Sequence, residues 1–528
     1  MREHLVTVAG VAVDTRHLIG GERVASAGTF TDVSPIDGAP LGEIARGTAT
    51  EAAAAVAAAK AAFPGWAATP RAERARLLGA IADGVEKRLE ELAAVETTDN
   101  GALLRSHRRG VMPRVAHNFR FFADQLTKLE HEEHQELEIR GHTQHISWDP
   151  AGPCLLITPW NAPLMLATWK AAPALAAGNT VILKPSEWSP LTASLLADIA
   201  TAAGLPPGVL NVVQGYGSEV GDPLVTHPDV RRVSFTGSVP TARRIAARAA
   251  AHLTPLSLEL GGKSPLLVFA DADLDLAVDL AVEQYDNAGQ VCLAATRLLV
   301  EEPVAEEFTR RLTDRAARLT QGDPRDEATD LGPLVHPRQL EKVDGFVRRA
   351  LDAGARAVIG AHPRERTGDG TGDGTGDGTG DGTGEGWYYA PTLLTDVAQD
   401  SEIVQEEVFG PVLTLQTFTT EDEAVRLANG TRFGLAAVVA TGDHERARRV
   451  TAQLVAGTVW VNCFFVRDLR APFGGSRQSG VGREGGTWSF DFYCDLKNTV
   501  TAPNGWTERN GPTDRNGSTD RNGRTRHG

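Results

Sequence analysis

Cysteine is scarce in this sequence: four thiols, Cys154, Cys292, Cys463 and Cys494, are scattered over 528 residues. That scatter excludes the close spacing of a zinc site and a secreted disulfide framework, and it suits a reducing cytoplasm. Long apolar runs are missing too. None reaches the roughly 18 residues that mark a membrane-spanning helix, so no membrane partner is expected. The mildly apolar stretch 5–13 contains Thr7 and Gly10, ends at Asp14 and shows no cleavage site, so it reads as ordinary chain and not as a secretory leader. Basic charge is also short. Against 68 acidic residues stand 53 Lys and Arg, a formal net charge of -15, which leaves no cationic excess to replace phosphate counterions and argues against nucleic acid.

What is present is the composition of a soluble enzyme, 41% hydrophobic and 23% charged, in a chain long enough for two or three domains. Residues 15–46 read as short strands with turns. Two helices follow: 51–63, Ala-rich and helical by propensity, and a second with Thr69 as N-cap, Pro70 at the first helical position and apolar residues at helical spacing through Leu77, Leu78, Ile81, Val85, Leu89 and Leu92. Residues 113–126 suggest another helix. The acidic run 130–138 holds His131 and His134, but it lacks the i, i+4 histidine pair of a zinc-protease helix. It reads as a solvated face, and no metal is expected.

Between 153 and 269, β-rich runs at 154–157, 181–183, 209–213, 232–235 and 256–260 alternate with helical ones. This alternation implies a parallel, doubly wound α/β sheet that binds ligands at the carboxyl ends of its strands. A second α/β unit runs from about 262 to 456. Two stretches have too little apolar surface to offset the entropy of ordering: the Thr-Gly-Asp-Gly tract at 367–386 and the Asn-Gly-rich tail at 504–528. Both are expected to be disordered.

The chemistry gathers around Cys292, in Asn287-Ala288-Gly289-Gln290-Val291-Cys292. A thiol is a strong nucleophile once ionised, yet a free one is only a few per cent thiolate at neutral pH, so it needs an oxyanion donor, a carboxylate to activate water and an electron acceptor nearby. Separate stretches offer these: Ile157-Thr158-Pro159-Trp160-Asn161-Ala162-Pro163, Leu183-Lys184-Pro185-Ser186-Glu187, Phe235-Thr236-Gly237-Ser238, Leu258-Glu259-Leu260-Gly261-Gly262-Lys263, Glu406-Glu407-Val408-Phe409-Gly410-Pro411, and Pro472-Phe473-Gly474-Gly475 with Gly482-Arg483-Glu484 beyond. In this order and spacing the set resembles the aldehyde dehydrogenase superfamily over roughly residues 19–502.

The resemblance implies an aldehyde dehydrogenase-like α/β fold with a Rossmann-type NAD-binding domain (15–126 and 149–260), an α/β catalytic domain (261–486, carrying the insertion) and a β oligomerisation arm (127–148 and 487–502), followed by the tail from 503. It implies oxidation of a small-molecule aldehyde to an acid by a homodimer or homotetramer. Cys292 would be the nucleophile, Asn161 the oxyanion donor, and Glu259, beside the flexible Gly261-Gly262, the base for the hydrolytic water. Ile157, Trp160, Lys184, Ser186, Glu187, Gly217, Gly221, Phe235, Thr236, Gly237, Ser238, Leu260, Glu407 and Phe409 would hold NAD. Among them the Glu187 carboxylate would repel a 2′-phosphate and favour NAD over NADP. The Gly215-Tyr216-Gly217 spacing alone is not the dinucleotide signature.

Phe464-Phe465-Val466-Arg467-Asp468-Leu469-Arg470, together with Pro113-Arg114-Val115-Ala116-His117 and Trp169-Lys170, is similar to the semialdehyde dehydrogenases of aromatic meta-cleavage. Their substrates carry carboxylates, which an Arg fork binds bidentately. Arg114 and Arg467 are therefore expected to grip a substrate such as 5-carboxymethyl-2-hydroxymuconate semialdehyde, while Arg470 is expected to pair with Asp468 or a neighbour. The alternatives are 2-hydroxymuconate or 2-aminomuconate semialdehyde, a betaine or general aliphatic aldehyde, or a catalytically silent protein on the same fold. Arg477 stands where the family usually has Lys.

Overall fold

The computed structural model describes residues 4–128, 132–136, 142–364 and 386–502. His131, the side chain of His134, the repeat tract up to residue 385 and the tail from residue 503 lie outside the described residues. The chain divides into two compact units, one made of Met1–Lys128 and Pro150–Cys494, the other of Leu129–Asp149 and Asp495–Gly528.

The first unit is built on two sheets. In one, Leu256–Leu260, Arg232–Gly237, Cys154–Ile157, Val181–Lys184 and Leu210–Val212 lie parallel in that spatial order, with Gly480–Val481 and His17–Ile19 added antiparallel at the two sides and Glu22–Val24 outermost. Among the parallel strands the chain starts at the middle one, Cys154–Ile157, builds outward on one side, then returns to build the other. The topological switch point therefore falls between Cys154–Ile157 and Arg232–Gly237, and a crevice opens at their carboxyl ends. The second sheet orders Arg356–Ile359, Thr392–Thr395, Val412–Phe418, Arg297–Glu301, Pro265–Val268, Ala436–Ala440 and Thr458–Val461, parallel throughout except for the first of these. Its central strands are buried on both faces and read as unbroken aliphatic runs, such as Ala-Ala-Val-Val-Ala at Ala436–Ala440.

Helix starts depart from expectation. The Ala-rich helix, Ala49–Ala67, has the stronger one: Thr48 and Glu51 form a reciprocal capping box. Thr69 caps nothing. Its hydroxyl donates to the Gly65 carbonyl at 2.9 Å, and extended Pro70 (φ -54°, ψ 143°) delays the next helix to Arg71–Lys87. That helix also stops short of Leu92, because Arg88 (φ -107°, ψ 18°) breaks it and a separate helix, Leu89–Asn100, follows. The separate helix buries two carboxylates one turn apart, Glu96 and Asp99. Each serves a helix that lacks a side-chain cap of its own: Glu96 accepts from the Leu164 N–H of Pro163–Ala177, and Asp99 from the Leu191 N–H of Leu191–Ala202.

In the second unit, Glu132–Glu136, Thr143–Pro150 and Cys494–Thr501 form a three-stranded sheet, the first two paired antiparallel with Glu132 opposite Ser147. Lys497 pairs with Asp149, and Leu496 and Val500 are exposed. Among the described residues, no helix is long and apolar enough to cross a membrane.

Candidate active site

A cavity of about 770 Å³ opens at the switch point and is lined from both sheets of the first unit. Cys292 reaches it through an unusual approach. The short 3-10 segment ends in three residues of left-handed backbone, Asn287 (φ 49°), Ala288 (φ 53°) and Gly289 (φ 70°), the second of which has no polar side chain to favour that conformation. The backbone there is pressed close: a Cβ at Gly289 would stand 2.0 Å from the Gly410 carbonyl. Gln290 then locks the turn, its amide donating to the Asn287 carbonyl (3.0 Å) and accepting from the Val335 N–H (3.0 Å). Asn161 enters from the first sheet. Its Nδ2 donates to the Gln290 carbonyl at 2.8 Å, and its own carbonyl accepts from Asn287 Nδ2 at 3.2 Å. The loop before the thiol and the loop after Cys154–Ile157 are thus bonded to one another.

The Cys292 thiol is pushed up to about 12, first by burial and then by the Glu407 and Glu259 carboxylates, with Arg467 pulling the other way. Glu259 ends its strand 5% exposed, and among the described residues neither of its carboxylate oxygens has a hydrogen-bond partner. Gly474 makes room for it, since a Cβ there would lie 2.7 Å from Oε1. Burial, then the charge of Glu484, raise its carboxyl well above the ordinary range, only partly countered by Lys170, Arg467 and Arg483. A carboxyl so placed binds a proton more readily than one in water, as a general base near neutrality requires.

Lys170 and Glu484 are part of this centre, although neither was singled out as a site residue. The buried Lys170 Nζ donates to Glu484 Oε1 at 2.7 Å and to Ser234 Oγ at 2.8 Å, while Ser257 Oγ donates to the same Glu484 oxygen at 3.1 Å. Both residues stand in motifs quoted above, so proximity to Trp169 and Arg483 was the available signal. Gln339 and Lys342 also line the cavity. They come from the amphipathic helix Pro337–Asp352, whose place beside the cleft no local pattern announces.

Away from the thiol, the cavity wall includes every residue expected at the cofactor, from Ile157 to Phe409. Lys184 Nζ donates to the Pro185 carbonyl at 2.9 Å and lies 3.4 Å from Glu187 Oε2. The Glu407 carboxylate rests on Gly261-Gly262: it accepts from the Gly262 N–H at 3.0 Å, and a Cβ at Gly261 would sit 1.9 Å from Oε2. Phe409 packs edge-on to Trp160, with centroids 5.2 Å apart. The Thr158 and Thr236 hydroxyls are buried at the cavity without a hydrogen-bond partner among the described residues.

Arg467 lines both this cavity and an adjoining one of about 510 Å³, and Arg114 lines the second only. The Arg467 guanidinium lies 3.9 Å from the Phe473 centroid and 5.5 Å from that of Trp169, and Arg114 lies 5.8 Å from the Trp169 centroid. Among the described residues neither guanidinium has a carboxylate at ion-pair distance. Arg470, in contrast, forks onto Asp468. Arg477, at φ 54°, ties its Nη1 to the carbonyls of Asn429 (2.7 Å) and Thr431 (2.8 Å), so the departure from Lys anchors a turn.

The family model described as the aldehyde dehydrogenase family matches residues 23–499. The 2-hydroxymuconic semialdehyde dehydrogenase of Pseudomonas sp. (strain CF600) is 43% identical over 92% of this chain and 99% of its own length. The 5-carboxymethyl-2-hydroxymuconate semialdehyde dehydrogenase of Escherichia coli is 42% identical over 90% of this chain and 98% of its own. Among solved structures, betaine aldehyde dehydrogenase from Staphylococcus aureus in complex with NAD+ superposes with a TM-score of 0.89 at 36% identity, covering 94% of this chain and 97% of that one. The sheet order, the cleft at its switch point and these matches lead to one statement: the chain belongs to the aldehyde dehydrogenase family and is an oxidoreductase.

Proposed function

We propose that this enzyme oxidises a carboxylated ring-cleavage semialdehyde to the acid, with NAD as the electron acceptor. The substrate would be 5-carboxymethyl-2-hydroxymuconate semialdehyde or its 2-hydroxymuconate or 2-aminomuconate counterpart. The observation that carries the choice is Arg467, a guanidinium between two aromatic rings, in the same cavity as Cys292 and without a carboxylate partner among the described residues. A half-buried cation held between aromatic rings with no counter-ion beside it gains when a ligand supplies one. Arg114, on the other side of Trp169, would take a second substrate oxygen or a second carboxylate. The curated relatives named above bear the names of such substrates.

The cavity fits a dinucleotide in volume and position, and the unpaired Thr158 and Thr236 hydroxyls await polar partners there. Lys184 and Glu187 would hold the adenosine ribose, Glu407 the nicotinamide ribose, and Phe235–Ser238 the backbone approach. When bound, NAD supplies the hydride acceptor that no side chain can be. Cys292 attacks the aldehyde carbon as a thiol that gives up its proton on the way. The oxyanion formed meets the Asn161 amide and the Cys292 N–H, and Glu259 later takes a proton from the water that cleaves the thioester.

In this reading 15–126 and 149–260 form the cofactor domain and 261–486 the catalytic domain. The arm of 127–148 and 487–502 would pair subunits into a dimer or tetramer, in a reducing cytoplasm that suits four free thiols. The test is Arg467→Ala assayed on a carboxylated and a neutral aldehyde of similar length. Truncating one partner of a buried charge pair costs about 2–5 kcal/mol, so kcat/KM should fall about 30-fold or more on the first and only a few-fold on the second. Equal losses would return the enzyme to the general aliphatic aldehydes.

A further inference from the structure

We infer that Glu96 is a positioning residue for the Asn161 amide, acting through the first turn of the helix that follows it; this rests on the catalytic reading of Asn161 above. The helix Pro163–Ala177 begins two residues after Asn161. Its N-cap, Ala162, has no side chain to offer, and Pro163 has no N–H, so the first donor that needs a partner is the Leu164 N–H. That partner is Glu96 Oε2 at 3.2 Å, from a side chain wholly shielded from solvent. The same oxygen accepts from Thr192 Oγ1 at 2.7 Å, in the first turn of Leu191–Ala202. One atom thus fixes the leading ends of two buried helices relative to Leu89–Asn100. The other carboxylate oxygen lies 3.7 Å from His107 Nε2, and His107 Nδ1 is bonded to Thr97 Oγ1 at 2.7 Å, which closes the cluster from behind.

Asn161 is therefore held from two directions. On the thiol side its amide meets the Gln290 carbonyl at 2.8 Å; on the other, the chain is pinned three residues later by Glu96. Without Glu96 a buried N–H would be left unpaired, and the first turn would shift or fray to find another acceptor. A displacement of about 1 Å at a catalytic group can cost about 10²-fold in rate. Burial, and then the nearby Asp99, push the Glu96 carboxyl up to about 8, so at neutral pH it is largely the neutral acid. A glutamine reproduces the acceptor oxygen of that form, whereas an alanine removes it.

The test uses the full-length enzyme and four variants: Glu96→Ala, Glu96→Gln, Asn161→Ala and the double Glu96→Ala/Asn161→Ala. The readouts are the single-turnover rate of NADH formation and NAD affinity from fluorescence quenching. Glu96→Ala should slow the turnover by about 30- to 100-fold with NAD affinity within about two-fold, and Glu96→Gln should restore most of the rate. In the Asn161→Ala background, Glu96→Ala should cost less than about three-fold, because coupled residues are not additive. Equal losses in both backgrounds would overturn the inference, as would a Glu96→Gln as damaging as Glu96→Ala. A wild-type rate in Asn161→Ala alone would instead sink the catalytic reading of Asn161, a result distinct from additivity. If Glu96→Ala does not fold, Thr192→Val should show a smaller slowing in the same direction that vanishes in the Asn161→Ala background, and its persistence there would refute the inference.

Discussion

At Cys292 the local electrostatics run against ionisation. The sulfur shares its cavity with the Glu407 and Glu259 carboxylates, and the Arg467 cation and, more weakly, the backbone N–H of Cys292 are outweighed in favouring the thiolate. A resting thiolate, such as a helix N-terminus or a neighbouring imidazolium produces in other thiol enzymes, is not provided here. Burial and the two carboxylates therefore favour the neutral thiol, and in the proposed reaction its proton would leave as it attacks. With its ionisation pushed up to about 12, the thiolate fraction grows tenfold for each pH unit over the whole accessible range. Alkylation of the cofactor-free enzyme by iodoacetamide should therefore be slow at pH 7 and should keep climbing from pH 6 to 9. A plateau below pH 9 would mean a thiolate already formed. Cys292 stood out in the sequence because its neighbours came with it, but the direction of its shift depends on Glu407 and Arg467, which lie 115 and 175 residues away in the chain.

The Leu89–Asn100 helix shows what a short element can do when its polar residues face inward. Its Glu96 and Asp99 take over the capping of two other helices, an arrangement invisible to local pattern because donor and acceptor are separated by 68 and 92 positions. Local rules also misassigned Thr69: the residue type was right for a cap, but the preceding helix claimed the hydroxyl. The central strands, in contrast, were legible, since burial on both faces turns them into plain aliphatic runs. The two-residue edge strand Gly480–Val481 and the placement of Gln339 and Lys342 were not, because only the assembled sheets define them. Glu96 also gives the helix a pH signature. Its carboxyl is raised from 4.5 to about 8, so its contribution to stability is fully present below pH 4.5 and is lost as pH rises through 8. Glu96→Gln has no proton to lose. The melting temperature of the variant minus that of the wild type should grow from pH 5 to about 8 and level off above, and a difference flat with pH would contradict the assignment.

For the whole molecule, the second unit shows a sheet of three strands among the described residues. Leu496 and Val500 on its last strand are exposed, and in the proposed assembly another copy of the chain would cover them. Truncation before residue 495 should lower the mass measured by light scattering from that of a dimer or tetramer to that of a single chain, while the circular dichroism of the first unit persists; an unchanged mass would dismiss the arm. The two sheets of the first unit were foreseeable from alternating strand and helix patterns, whereas the boundary between the units was not marked by composition.

The described chain stops at Arg364 and resumes at Gly386, on either side of the repeat tract. On both sides of that gap the chain is fastened: Arg364 donates its N–H to the Tyr388 carbonyl at 3.0 Å, Pro363 bridges Tyr389, and the Trp387 carbonyl accepts from the Leu334 N–H at 2.7 Å. With its two ends fastened in this way, the number of residues between them weighs little on stability, since each doubling of a closed segment adds only about 0.6 kcal/mol of closure entropy.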